Sequence, residues 1–106
     1  LTKVVRIARD ILRTSDQIGR YGGEEFVILL PGSSGHEAIS VIDRLRMAVE
    51  NYAWGDIAPG LEIRISAGIA PYAPGDTVEK LVSRSNYGLD KAKNSGRNRV
   101  VYVGGE

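Results

Sequence analysis

Apolar residues recur at three- and four-residue intervals through the start of the chain. Leu1, Val4, Val5, Ala8, Ile11 and Leu12 fall on one side of a helix expected from about Thr2 to Arg13. Such a helix needs a sheet to lie on. The period then changes: Ile18 to Tyr21 and Glu25 to Leu30 read as two strands joined through Gly22-Gly23, a pair that accepts the positive φ angles tight hairpins demand. The second strand is apolar on both faces, which predicts a central position in its sheet. Pro31 ends it, and Ser34 followed three residues later by Glu37 is a capping-box pattern that opens a helix running to about Tyr52. Its buried stripe is expected to be Ala38, Val41, Ile42, Leu45, Ala48, Val49 and Tyr52.

After a loop with Gly55, Pro59 and Gly60, the alternation of Ile63, Ile65, Ala67 and Ile69 predicts a half-buried strand. Pro71 to Gly75 is rich in turn residues. Asp76 with Glu79 is expected to cap a third helix whose inward positions are Val78, Leu81, Val82, Ser85, Leu89 and Ala92, stopping before Gly96. The last strand is Arg99 to Val103. This order predicts an α+β fold, a mostly antiparallel central sheet flanked by helices, with residues 1–106 forming a single domain.

Composition narrows the function classes. A chain of 106 residues can bury roughly 60 to 70% of its unfolded surface in one core. Cysteine is absent, which excludes a disulfide framework and agrees with a reducing, cytoplasmic setting. Fourteen basic against 13 acidic residues leave a net charge of +1, too little for a surface that coats nucleic acid, so any basic site is local. No apolar stretch approaches the ~20 residues of a membrane span, and no membrane contact is expected from this segment. The chain opens at Leu1 without Met, as a piece of something longer would.

The chemistry concentrates in two places. Gly22-Gly23-Glu24-Glu25-Phe26 puts adjacent carboxylates at a hairpin tip, where two acids can hold a divalent metal and two glycines let a ligand approach the backbone. Taken alone, a Gly-Gly turn before two solvated acids is an ordinary hairpin. Lys93-Asn94-Ser95-Gly96-Arg97-Asn98 closes the third helix; Lys93 offers a point charge and Arg97 a planar fork, both suited to a triphosphate. Taken alone, Lys91 and Lys93 simply complement the helix dipole and Gly96 caps it.

Together, Arg20-Tyr21-Gly22-Gly23-Glu24-Glu25-Phe26 and the later segment resemble the GGDEF family, the diguanylate cyclases, with Glu in place of Asp at the third signature position. The resemblance covers essentially the whole chain and implies a nucleotidyl-cyclase-like fold with a ferredoxin-like core. The family's domain begins with a further central strand ahead of the first helix, so that strand and the start of the first helix are expected to be missing here. The implied reaction condenses two GTP into cyclic di-GMP and two pyrophosphates with Mg²⁺ or Mn²⁺. Glu24 is implied as the metal ligand, Glu24 and Glu25 as catalytic, and Gly22, Gly23, Lys93 and Arg97 as substrate-binding. One domain binds one GTP, so a homodimer is implied, commonly driven by an upstream sensory or receiver domain.

Arg13 and Asp16 form Arg-x-x-Asp six positions before Gly22. By itself that is a surface ion pair; at this offset it resembles the family's inhibitory site for cyclic di-GMP, with Arg44 where some members place a second arginine. His36 stands alone at a helix start with no zinc partner, Trp54 reads as a lid on the core edge, Asn98 as fixing its turn, and Gly68 as a close backbone approach. Asn86 and Asp90 replace the acid and aromatic that family members usually carry, which motivates the alternative of a degenerate module that binds cyclic di-GMP or GTP without catalysis. This segment on its own is expected to be inactive. RNA binding is the remaining alternative, since Arg20-Tyr21-Gly22-Gly23 resembles part of an RNA recognition motif, but two acids facing phosphates have the wrong sign.

Overall fold

A computed structural model describes residues 2–22 and 25–104. In chain order the elements are α1 (Thr2–Ile11), β1 (Gln17–Gly22), β2 (Glu25–Leu29), α2 (Gly35–Glu50), a 3-10 turn at Trp54–Asp56, β3 (Ala67–Ile69), α3 (Val78–Asn94) and β4 (Val100–Tyr102). The α+β class and the element order stand as the hydrophobic pattern predicts.

The capping box at Ser34 forms as expected. The Ser34 hydroxyl accepts from the Glu37 amide at 3.1 Å, and the Glu37 carboxylate accepts from the Ser34 amide at 2.8 Å. From there α2 buries Ala38, Ile42, Leu45 and Val49. Leu45, Val49, Ala8 of α1 and Trp54 form the centre of the core, with Ile7, Ile11, Ile18, Ile28 and Ile63 packed around them. Trp54 is 4% exposed and its indole N–H donates to the Val49 carbonyl at 2.6 Å, so it seals the core edge beyond α2. His36 is exposed at the start of α2.

Four expectations change. Among the described residues the strands form two separate two-stranded ladders: β1–β2 is antiparallel and β3–β4 is parallel. The parallel pair follows from its connection, because a strand that returns through a helix arrives running the same way. β2 has one hydrogen-bonded neighbour among the described residues, and its Leu29 is 48% exposed. Side-chain alternation reports which faces are apolar and carries no information on whether the edges are paired. Finally, Thr77 caps α3, its hydroxyl accepting from the Lys80 amide at 3.2 Å, while Asp76 accepts from the Ala73 amide and pairs with Arg84. Val78, expected to face inward, is 76% exposed in the first turn.

Gly68 lies where β3 and α3 nearly touch. A Cβ there would collide with the Ser85 carbonyl oxygen and the Leu89 amide nitrogen. The facing residue on α3 is Gly88, whose own Cβ would meet Gly68 Cα at 3.2 Å. A pair of glycines therefore sets how closely the helix beds on the parallel ladder, and so where the end of α3 lies.

Candidate functional site

The antiparallel hairpin narrows to the pair Gly22 and Glu25, after a register shift between Arg20 and Gly22 that leaves Tyr21 58% exposed. An irregularity next to a turn re-aims the strand end. Gly23 and Glu24, expected to cradle the nucleotide and hold the metal, lie outside the described residues. Glu25 opens β2 with its side chain 42% exposed, and its Oε2 lies 3.8 Å from Nζ of Lys93. The fold thus brings the acidic hairpin to the cationic end of α3. So exposed a pair contributes between about 0 and 1 kcal/mol, so its partners are free to exchange for others.

The helix end is specially shaped. Lys91 and Lys93 occupy the last turn, where the helix dipole favours cations. Gly96, Arg97 and Asn98 then take positive φ in succession, at 125°, 60° and 47°. The Arg97 amide donates back to the Ala92 carbonyl at 2.9 Å, the long-range closure of a Schellman turn. An L-residue in this conformation costs about 1 to 2 kcal/mol, so two in a row need anchoring. Asn98 is the anchor: its amide donates to the Ser66 hydroxyl at 3.0 Å, and its Oδ1 accepts from Nη1 of Arg46 at 3.2 Å. A hydrogen bond from the Asn98 side chain also holds the Glu50 carboxyl below the usual range, with Arg46 and Arg64 adding to the effect. Asn98 fixes the turn, as its position in the sequence suggests.

Arg46 and Glu50 escape sequence reading. Asp43, Arg46 and Glu50 are spaced as an everyday ladder of ion pairs on a helix, and the contact that matters, with Asn98, joins segments far apart in the chain.

The Arg-x-x-Asp segment is a clamp. Arg13 donates from Nη2 to Asp16 Oδ1 at 2.9 Å, to the Pro31 carbonyl at 2.7 Å and to the Ser33 hydroxyl at 3.1 Å. It ties the end of α1 to the loop before α2. The Asp16 side chain is 2% exposed, and its carboxyl is held below the usual range by the Arg13 side chain and, after that, the Arg13 backbone amide. Arg13 itself remains 55% exposed and borders an open depression of about 260 Å³ lined also by Arg9, Leu12, Thr14 and Ile18. Arg44 is an exposed residue of α2 and is not among the residues lining that depression.

The structure thus sets a carboxylate of the hairpin against a lysine at the cationic end of a helix, within an α+β fold. The family model described as "Diguanylate cyclase, GGDEF domain" matches residues 1–99, and the chain belongs to this family. It is 40% identical over 101 residues to the response regulator PleD of Caulobacter vibrioides, covering 92% of this chain and 22% of that protein. It is 33% identical over 102 residues to diguanylate cyclase A of Treponema denticola, covering 95% of this chain and 28% of that protein. The chain therefore spans under a third of the length of either relative. Its fold matches the active GGEEF domain of a diguanylate cyclase from Vibrio cholerae with a TM-score of 0.87 at 26% identity, covering 96% of this chain and 65% of that one. Among the described residues no helix is long and apolar enough to cross a membrane.

Proposed function

We propose that the intact protein is a diguanylate cyclase that joins two GTP into cyclic di-GMP and releases two pyrophosphates. In each half of the reaction the 3′-oxygen of one nucleotide bonds to the α-phosphorus of the other. The bond from that phosphorus to the bridging oxygen breaks, and pyrophosphate leaves with the electron pair. There is little covalent work for the protein, so positioning and charge carry the rate. Lys93 releases Glu25 and takes the β- and γ-phosphates together with Arg97, while Gly22 and Gly23 let the nucleotide lie against the backbone. Glu25 accepts the hydroxyl proton directly or through water.

The donor set fits a hard divalent ion. Mg²⁺ commonly takes one or two carboxylates and completes its shell with water and substrate phosphates. Glu25 is a part-exposed carboxylate at the hairpin end, and Glu24 precedes it in the sequence. Among the described residues no group of three or more His, Cys, Asp or Glu gathers. When bound, Mg²⁺ or Mn²⁺ supplies neutralisation of the phosphate oxygens. Each domain holds one GTP, so two copies meet face to face, in the cytoplasm where GTP is made, under control of an upstream sensory or receiver domain. Cyclic di-GMP inhibits by binding Arg13, with Asp16 orienting the arginine and Arg44 assisting.

The observation that carries this reading is the Glu25–Lys93 approach of 3.8 Å in a chain of this family. Incubated with GTP and Mg²⁺, the intact protein should form cyclic di-GMP, and Glu25→Gln should slow it by about a hundredfold or more. Absence of product from the folded wild type contradicts the enzyme. It would favour a second reading, a receptor that binds cyclic di-GMP or GTP without turnover. That reading is motivated by Asn86 and Asp90 and by Arg13, an exposed guanidinium already held in place by a buried carboxylate.

A further inference from the structure

We infer that Arg46 is a positioning residue for the nucleotide site: through Asn98 it holds the left-handed turn that presents Arg97. The inference rests on the reading of Arg97 as a phosphate ligand. A phosphate ligand works only if its fork is already in place when the nucleotide arrives, and Arg97 stands on a backbone that no L-residue adopts readily, at φ 60° beside Asn98 at φ 47°. The turn's own closure, from the Arg97 amide to Ala92, fixes only the helix side.

The far side is fixed by a network of hydrogen bonds centred on Arg46. Arg46 stands in α2 with its side chain 17% exposed. Its Nε donates to Asp43 at 2.8 Å, which sets the plane of the guanidinium. Its Nη1 then donates to Glu50 Oε1 and to Asn98 Oδ1, both at 3.2 Å. Nη1 of Arg46 is thus shared between Glu50 and the Asn98 side chain, and the Asn98 backbone amide is pinned to Ser66 just before β3. The network couples α2, which carries the core, to the loop between α3 and β4. Surface stability alone does not call for it, since Asp43 and Glu50 would satisfy Arg46 without Asn98.

The test is calorimetric titration of the intact protein with Mg²⁺ and a non-hydrolysable GTP analogue. Arg97→Ala should weaken binding by about tenfold or more, the worth of one charge-assisted phosphate contact. Arg46→Gln should produce a loss of the same order and Arg46→Lys a smaller one. Asn98→Gly, which tolerates positive φ and keeps the amide bond to Ser66 yet removes the side-chain bond to Arg46, covers the case in which the α2 variant fails to fold. The decisive result is non-additivity: in the Arg97→Ala background neither Arg46→Gln nor Asn98→Gly should weaken binding further. Losses that multiply, or folded Arg46 and Asn98 variants that bind as the wild type does, overturn the inference while leaving the function intact. A wild type that does not bind the analogue, or an Arg97→Ala variant that binds as well as it, removes the reading of Arg97 and this inference with it.

Discussion

Gly68 illustrates how single residues set the site. The backbone atoms of Ser85 and Leu89 stand where its Cβ would be, and neither can rotate away as a side-chain tip could. Gly68→Ala must therefore push α3 off the parallel ladder, displacing the helix whose last turn carries Lys93. We expect it to cost about 3 kcal/mol or more in denaturant unfolding, at the upper end for an overpacked site. A loss within about 0.5 kcal/mol, the range of a neutral surface change, would mean the close approach is absent in solution. Arg97 and Asn98 carry strain of a different kind, in backbone angles, and it is sustained only because the neighbouring segments hold the turn from both sides.

Among the elements, buried or half-buried carboxylates do the fastening. Asp16 joins α1 to the loop before α2 through Arg13, Asp76 holds the Pro71–Ala73 loop against α3 through Arg84, and Glu50 holds Arg46 on α2. All three carboxyls are held below the usual range, the first two chiefly by hydrogen bonds from their arginines and Glu50 chiefly by the one from Asn98. A depressed carboxyl binds fewer protons folded than unfolded, so its stabilisation is fully present above the ordinary carboxylate pKa of about 4 and is lost as pH falls through the folded value. Melting followed by circular dichroism should accordingly be level from pH 8 to about 5 and fall steeply below about 4, with a shallower fall in Asp76→Asn. A melting temperature that rises on acidification would contradict the clamps.

The same elements show what a sequence discloses. The capping box of α2, the stripe Ala38, Ile42, Leu45 and Val49, the lid Trp54 and the close approach at Gly68 were all legible, because each follows from local periodicity or from one residue's shape. The pairing of β3 with β4 and the single strand partner of β2 among the described residues were not, since they depend on which strands meet across the fold. Within the candidate site, both ends of the Glu25–Lys93 contact could be named from motif chemistry. Arg46 could not, because nothing in its helical spacing distinguishes it from a surface ion pair.

At the scale of the whole molecule, α3 is the organising element. It beds on the parallel ladder through Gly88, and its C-terminal end reaches the tip of the antiparallel hairpin at Glu25. The two ladders, unpaired with each other among the described residues, are thereby linked where Glu25 meets Lys93. The central claim is that this junction is a nucleotide site rather than a helix end with its customary lysines. Lys91 supplies the control, since it shares the last turn and the same dipole and rests over the Tyr87 ring. The direct measurement is the affinity of the intact protein for a non-hydrolysable GTP analogue with Mg²⁺, compared among wild type, Lys93→Ala and Lys91→Ala. The account predicts a loss of about tenfold or more for Lys93→Ala and of about twofold or less for Lys91→Ala. Equal losses, or none for Lys93→Ala, would contradict it.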